Sequence, residues 1–167
     1  NLAKALHDTD EFERSIYCYH KALGFHHTPK YLRGLALAWR KCGRYDRARA
    51  LLEEALSIDP NDERAHVGLA MNGLYQEDYA EGFREFEWRS KLPDQLAFRQ
   101  DLPAIFSKPE YQGEDISNKT LLLYTEHSVG ESIQFSRFIH LAKEKAGRVV
   151  MWCKPGLGKL FAANFPL

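Results

Sequence analysis

The chain has 167 residues, 44% of them hydrophobic and 28% charged, which leaves room for one medium domain or two small ones. Its 23 Lys plus Arg balance 23 Asp plus Glu, so charge gives no argument for a nucleic acid or an anionic membrane as partner. The longest strongly apolar stretch, Thr120 to Tyr124, is strand-sized, far short of the roughly 20 residues a spanning helix needs.

No initiator Met and no signal-like segment opens the sequence, which reads as a fragment that starts inside a helical pattern. Three widely spaced cysteines, Cys18, Cys42 and Cys153, form no CxxC and point to a reducing, cytoplasmic compartment.

In chain order, the first feature is a repeat. Tyr45 and Tyr79 are 34 residues apart, and the same offset carries Leu35 to Leu69, Ala36 to Ala70, Ala48 to Gly82 and Leu52 to Phe86. A backward offset of 33 carries Tyr45 to Phe12, Ala48 to Ser15, Leu52 to Tyr19 and Ala55 to Ala22. Leu32, Leu35, Ala36 and Trp39 form one apolar helical stripe. Gly43 stands where the first helix must end, Ala48 and Ala55 are small enough for close helix approach, and Pro60 stops the second helix. Thr28-Pro29 reads as an N-cap with a first-turn proline. Helix pairs are expected over 1–8 with 11–24, 29–42 with 45–58, and 63–76 with 79–91. The third pair departs from the pattern: Gly73 replaces the aromatic and Glu77 the turn glycine. The period is that of the tetratricopeptide unit, so residues 1–92 are expected to be an α-solenoid of about three hairpins.

The pattern then changes. Pro93, Pro103 and Pro109 interrupt a linker over 93–119, with room for a short helix at 94–100. Thr120 to Thr125 reads as a buried strand, Gly130 to Ala146 as a helix ended by Gly147, Arg148 to Cys153 as a second buried strand, and Leu157 to Phe165 as a short helix. Strand, helix, strand predicts a parallel, Rossmann-like βαβ unit over 120–167. The expected class is therefore mainly α: a helical solenoid followed by a partial α/β unit.

Three stretches have a common resemblance: Tyr79 to Arg89, Pro109 to Gly113 followed by Lys119 to Leu123, and Thr125 to Phe138. In order and spacing they resemble bacterial tetratricopeptide proteins with a C-terminal GT-B glycosyltransferase-like module. That resemblance implies an acceptor-activating base at Glu131 and a substrate-binding loop of His127, Ser128, Gly130, Gln134 and Arg137. It also implies that a nucleotide sugar binds only in a full-length parent, since the donor half lies beyond this chain, which is then inert alone. Departures stand at Phe83 and Tyr111 for tryptophan, His127 for glutamine, Ser128 for glycine and Glu131 for aspartate. The residues themselves also allow a plainer reading of this loop, with Ser128 or Ser132 capping a helix and Glu131 complementing its dipole.

A second candidate site is the concave face of the repeats. Lys30, Arg33, Leu37, Arg40 and Lys41, followed by Arg64, Val67, Met71 and Tyr75, point away from the apolar stripe. Basic residues around an apolar floor suit an acidic, extended peptide. The alternatives are a solvated helix face here and a non-catalytic adaptor overall. Pro155 to Lys159 lacks the first glycine and the final hydroxyl of a phosphate loop, and the seven histidines make no zinc spacing, so neither a cofactor nor a metal is expected. An exposed edge of the α/β sheet would suit a dimer.

Overall fold

The computed structural model of the protein describes residues 2–93, 108–125 and 128–165. The chain forms two compact units, Asn1–Phe106 and Ser107–Leu167.

The first unit is three successive helical hairpins: α1 (Leu2–Asp8) with α2 (Phe12–Phe25), α3 (Pro29–Lys41) with α4 (Tyr45–Ile58), and α5 (Glu63–Tyr75) with α6 (Tyr79–Phe86). The stripe of α3 serves two neighbours. Leu32 and Ala36 pack with Ala48, Leu52, Ala55, Ala65 and Leu69, while Leu35 and Ala38 pack with Ala3, Ile16 and Tyr19. Burying Leu35 completely contributes about 2 kcal/mol by area alone. The small position that recurs in each second helix is closed to solvent in all three hairpins, as Ser15, Ala48 and Gly82. Ser15 meets the demand of its buried hydroxyl by donating to the carbonyl of Ala3 at 2.7 Å.

Each hairpin turn places one residue at positive φ: Asp10 at 61°, Gly43 at 70° and Glu77 at 62°. Only glycine adopts that conformation without strain, so the first and third turns pay a backbone penalty the middle one avoids. Pro29 takes the first helical position as expected, but the Thr28 hydroxyl makes no capping bond. Asp62 and Asp78 do cap, each accepting the N–H three residues on, from Ala65 at 3.0 Å and Glu81 at 3.2 Å. The helix expected over 79–91 ends at Phe86 and tightens into a 3-10 turn over Glu87–Lys91. In that turn Trp88 stacks on His66 with ring centroids 3.7 Å apart, and the other side of the tie is His66 Nδ1 against Glu85 Oε2 at 2.6 Å. The hairpins are also held to one another by Arg49 of α4, whose guanidinium donates to both carboxylate oxygens of Glu81 in α6.

The second unit contains β1 (Ile116–Tyr124), α7 (Val129–Ser136), α8 (Ile139–Lys145), β2 (Ala146–Trp152) and α9 (Gly158–Asn164), the last preceded by a 3-10 turn over Pro155–Leu157. The strands pair in parallel, with Thr120 opposite Arg148 through to Tyr124 opposite Trp152, and an irregularity between Ile116 and Thr120. Four expectations need correction. The first strand starts at Ile116, four residues before the expected start, because Ile116 finds a partner in Ala146. The single helix over 130–146 is two: the Phe138 N–H bonds back three residues to Phe135, and the ladder restarts at Ile139. Gly147 does not end that helix but lies inside β2, where a Cβ would meet the Ser117 carbonyl oxygen at 2.5 Å. Neither strand is the buried one expected: Leu121 to Tyr124 are half-buried, and in β2 only Val149 is closed to solvent. Among the described residues the sheet has two strands whose faces are only partly covered, whereas parallel sheets ordinarily bury both faces under helices. The short helix expected over 94–100 falls outside the described residues.

Candidate functional site

The concave face of the first unit holds a groove of about 410 Å³. Seven of the residues expected there line it: Lys30, Arg33, Leu37 and Arg40 from α3, and Arg64, Val67 and Met71 from α5. Helical spacing explains the selection, since 30, 33, 37 and 40 rise along one face of α3, and 64, 67 and 71 along the same face of α5. Lys41 is exposed and is not a lining residue, nor is Tyr75. Tyr75 stands at the end of the groove, stacked on Tyr45 at 6.2 Å and 5.8 Å from the Arg40 guanidinium carbon. Sequence reasoning missed Lys4 of α1, Tyr19 of α2 and Leu92, which also line the groove. Lys4 and Tyr19 were visible only as members of the first hairpin, whose faces the 34-residue offset could have assigned.

Electrostatically the lining is one-sided. Lys4, Lys30, Arg33, Arg40 and Arg64 contribute five cations, and among the described residues no Asp or Glu lines the groove. Two of the five are engaged: Lys4 with Asp8 at 2.9 Å, and Arg33 with Asp62 at 3.0 Å. Asp62 is buried and also caps α5, so the Arg33 pair is part of the fold. Among the described residues, Lys30, Arg40 and Arg64 have no carboxylate within 4.0 Å. Burial holds the Arg40 guanidinium below the usual arginine range, with Tyr75 and then Tyr45 acting in the opposite sense.

The strand–helix loop of the second unit is built differently. Ser128 is the N-cap of α7, and Ser128 and Glu131 form a capping box. The Glu131 N–H donates to Ser128 Oγ at 3.3 Å, while the Ser128 N–H and hydroxyl both donate to Glu131 Oε2 at 2.9 Å. Ser132 adds a bond from its hydroxyl to the Ser128 carbonyl at 2.8 Å. Gly130 is exposed in the first turn, Gln134 is exposed one turn on, and Arg137 lies at the C-terminal end of α7 with its guanidinium 4.8 Å from the Phe138 ring centre. His127 lies outside the described residues. Among the described residues no three His, Cys, Asp or Glu side chains gather to hold a metal ion, and no helix is long and apolar enough to cross a membrane. All three cysteines are free thiols.

Residues 29–62, the α3–α4 hairpin and the turn after it, match the family described as tetratricopeptide repeat. Among solved structures, the crystal structure of MamA aligns with a TM-score of 0.50 at 20% identity, covering 58% of this chain and 57% of that one. The chain thus spans less than two thirds of that protein, and the likeness is one of fold. No curated protein matches.

Proposed function

We propose that this chain is a protein-interaction scaffold whose repeat groove takes an acidic, extended segment of a partner protein. The observation that carries the reading is the groove itself: an apolar floor of Leu37, Val67 and Met71 ringed by five cations, with no acid among the described residues that line it. Tetratricopeptide hairpins give such a groove a rigid wall, because α3 and α5 are fixed by cores on their other faces. Apolar side chains of the partner would fill the floor and its carboxylates would meet Lys30, Arg40 and Arg64. An affinity in the micromolar range suits a groove of this size.

The test is fluorescence polarisation with a labelled glutamate-rich peptide across a salt series. Binding that weakens as salt rises, and is lost in the double charge reversal Lys30→Glu with Arg64→Glu, is expected. Equal binding by the reversed variant would overturn the proposal.

A second reading is favoured by the order of the motifs at 79–89, 109–123 and 125–138: the α/β unit would open a sugar-transferring module in a longer protein, with Glu131 as base. The capping box supports a structural role for Glu131 instead, since its carboxylate already accepts two bonds from Ser128. Titrating a longer parent with nucleotide sugars, with Glu131→Ala beside it, separates the two. Turnover lost in a variant that stays folded supports the base, and no sugar-nucleotide binding removes the reading.

A further inference from the structure

The groove wall carries the same notch twice. Gly34 of α3 and Gly68 of α5 are 34 residues apart, and both line the groove. Each notch is filled by a side chain from the second helix of the preceding hairpin. A Cβ on Gly68 would meet Leu52 Cδ2 at 2.7 Å, and one on Gly34 would meet Tyr19 Cζ at 2.3 Å and the Tyr19 hydroxyl oxygen at 2.6 Å. Tyr19 and Leu52 are themselves repeat equivalents, 33 residues apart. An aliphatic side chain thus suffices to fill the notch, and packing gives no reason for a phenolic oxygen in the first one. Tyr19 is 7% exposed and packs with Ala3, Ile16, Leu35 and Ala38. Its hydroxyl reaches the groove wall and makes no hydrogen bond among the described residues. Arg33 Nε and Arg40 Nη1 are sealed from solvent without a partner, whereas the Tyr19 hydroxyl is not sealed. A donor held at the edge of a core in this way is left to water or to whatever enters the groove.

We infer that Tyr19 and Lys30 form a carboxylate subsite at the first-hairpin end of the groove, the phenol O–H and the ammonium donating to the same acidic group of the docked segment. The inference rests on the groove being the partner-binding surface, and it fixes where in that groove an acid is read. Lys30 lies one helical turn before Gly34 on α3, is exposed, and has no carboxylate within 4.0 Å among the described residues. Lys4 also faces this end, but its bond to Asp8 at 2.9 Å balances its charge, so Lys30 supplies the net positive charge here. Burial, and after it the Asp8 carboxylate, hold the Tyr19 phenol above the usual tyrosine range against the opposing effect of Lys4, so the group remains an O–H donor through neutral pH. One repeat on, Arg64 takes the place of Lys30 and Leu52 that of Tyr19, which leaves a cation without a neutral donor beside it. The two ends of the groove therefore differ in chemistry although the cations alternate evenly along it. The carboxylate has two possible sources, an Asp or Glu side chain or the C-terminus of the partner.

The experiment uses the whole chain and Tyr19→Phe, which deletes the hydroxyl and keeps the ring in its notch. Two labelled probes separate the sources: hexaglutamate amidated at its C-terminus, and hexaglutamine with a free C-terminus. Polarisation is expected to show Tyr19→Phe weakening the binding of one probe roughly tenfold, the loss of a hydrogen bond to a charged group. A loss seen with amidated hexaglutamate assigns the contact to a side chain, and a loss seen only with hexaglutamine assigns it to the C-terminus. Thermal unfolding is expected to leave Tm unchanged, because the deleted oxygen has no protein partner in the free chain. A fall in Tm together with weaker binding would make the hydroxyl structural and overturn the inference. Double-mutant cycles locate the partner cation. Tyr19→Phe and Lys30→Gln are expected to lose less together than the sum of their separate losses, since both hold one carboxylate, while Tyr19→Phe and Arg64→Gln add. Strict additivity in the first cycle would overturn the shared subsite. Unchanged binding by Tyr19→Phe, with the reversal Lys30→Glu and Arg64→Glu still disruptive, would overturn the subsite and leave the groove. No binding of either probe by the unaltered chain would remove both.

Discussion

In the first unit, every hairpin finds a neighbour for its apolar stripe, and Leu35, Ala38, Ala48, Ala55, Ala65 and Ala70 are closed to water. The second unit is made of similarly apolar sequence but hides much less of it. Val129, Ile133, Phe135, Phe138 and Leu141 on α7, α8 and their junction are each about half exposed. Helical hairpins stack one at a time and complete a core with each addition. A parallel strand pair needs layers on both faces before its core closes. The same hydrophobic content therefore yields a finished wall in one region and a partly open sheet in the other, and a binding groove needs the finished wall.

The sharpest way to break this comparison is to remove equivalent core atoms from each region. Leu35→Ala should cost about 3 kcal/mol in urea unfolding, since the site is sealed between two hairpins. Ile139→Ala should cost about half as much, because half-exposed neighbours give way to solvent. Equal costs would contradict the contrast. Gly147→Ala should destabilise the second unit alone by about 2 kcal/mol, because the new methyl meets the Ser117 carbonyl across the strand pair; hydrogen exchange of β1 and β2 reads it.

A smaller effect is expected at the tie between hairpins. Arg49, first by its hydrogen bond, holds the Glu81 carboxyl below the usual carboxylate range. A depressed folded-state pKa contributes stability above the ordinary glutamate pKa, and that contribution is lost as pH falls through the lower folded value. Glu81→Gln should therefore cost about 1 kcal/mol near neutrality and nothing once the carboxyl is protonated in acid. A cost that persists in acid would refute the charge origin. The smallest change is a gain: Glu77→Gly should add about 0.5–1 kcal/mol by relieving the positive-φ turn, and a loss would show that the turn is stabilised by the Glu77 side chain.

The periodic parts of this architecture are legible in sequence because packing repeats them. Close helix approach demands a small residue at 15, 48 and 82, and the offset exposes it. The positive-φ turn is announced by Gly43 but hidden at Asp10 and Glu77, where the fold imposes the conformation on residues that do not advertise it. Gly147 misleads in the opposite direction: it reads as a helix stop, yet its missing side chain serves a close strand contact. The groove face follows from helical spacing, and most of its lining was readable. What sequence could not separate was Arg33 from Arg40, because the difference is made by Asp62 at the start of α5, far away in the chain and adjacent in space. The Ser128–Glu131 capping box is legible from its spacing, and that spacing alone is compatible with both a ligand loop and a helix start.

Amide hydrogen exchange of the whole chain with and without a saturating glutamate-rich peptide tests the central claim most directly. The account predicts new protection in α3 and α5, over residues 29–41 and 63–75, and none over 128–136. Protection confined to 128–136, with α3 and α5 unchanged, would contradict it and move the binding site to the strand–helix loop.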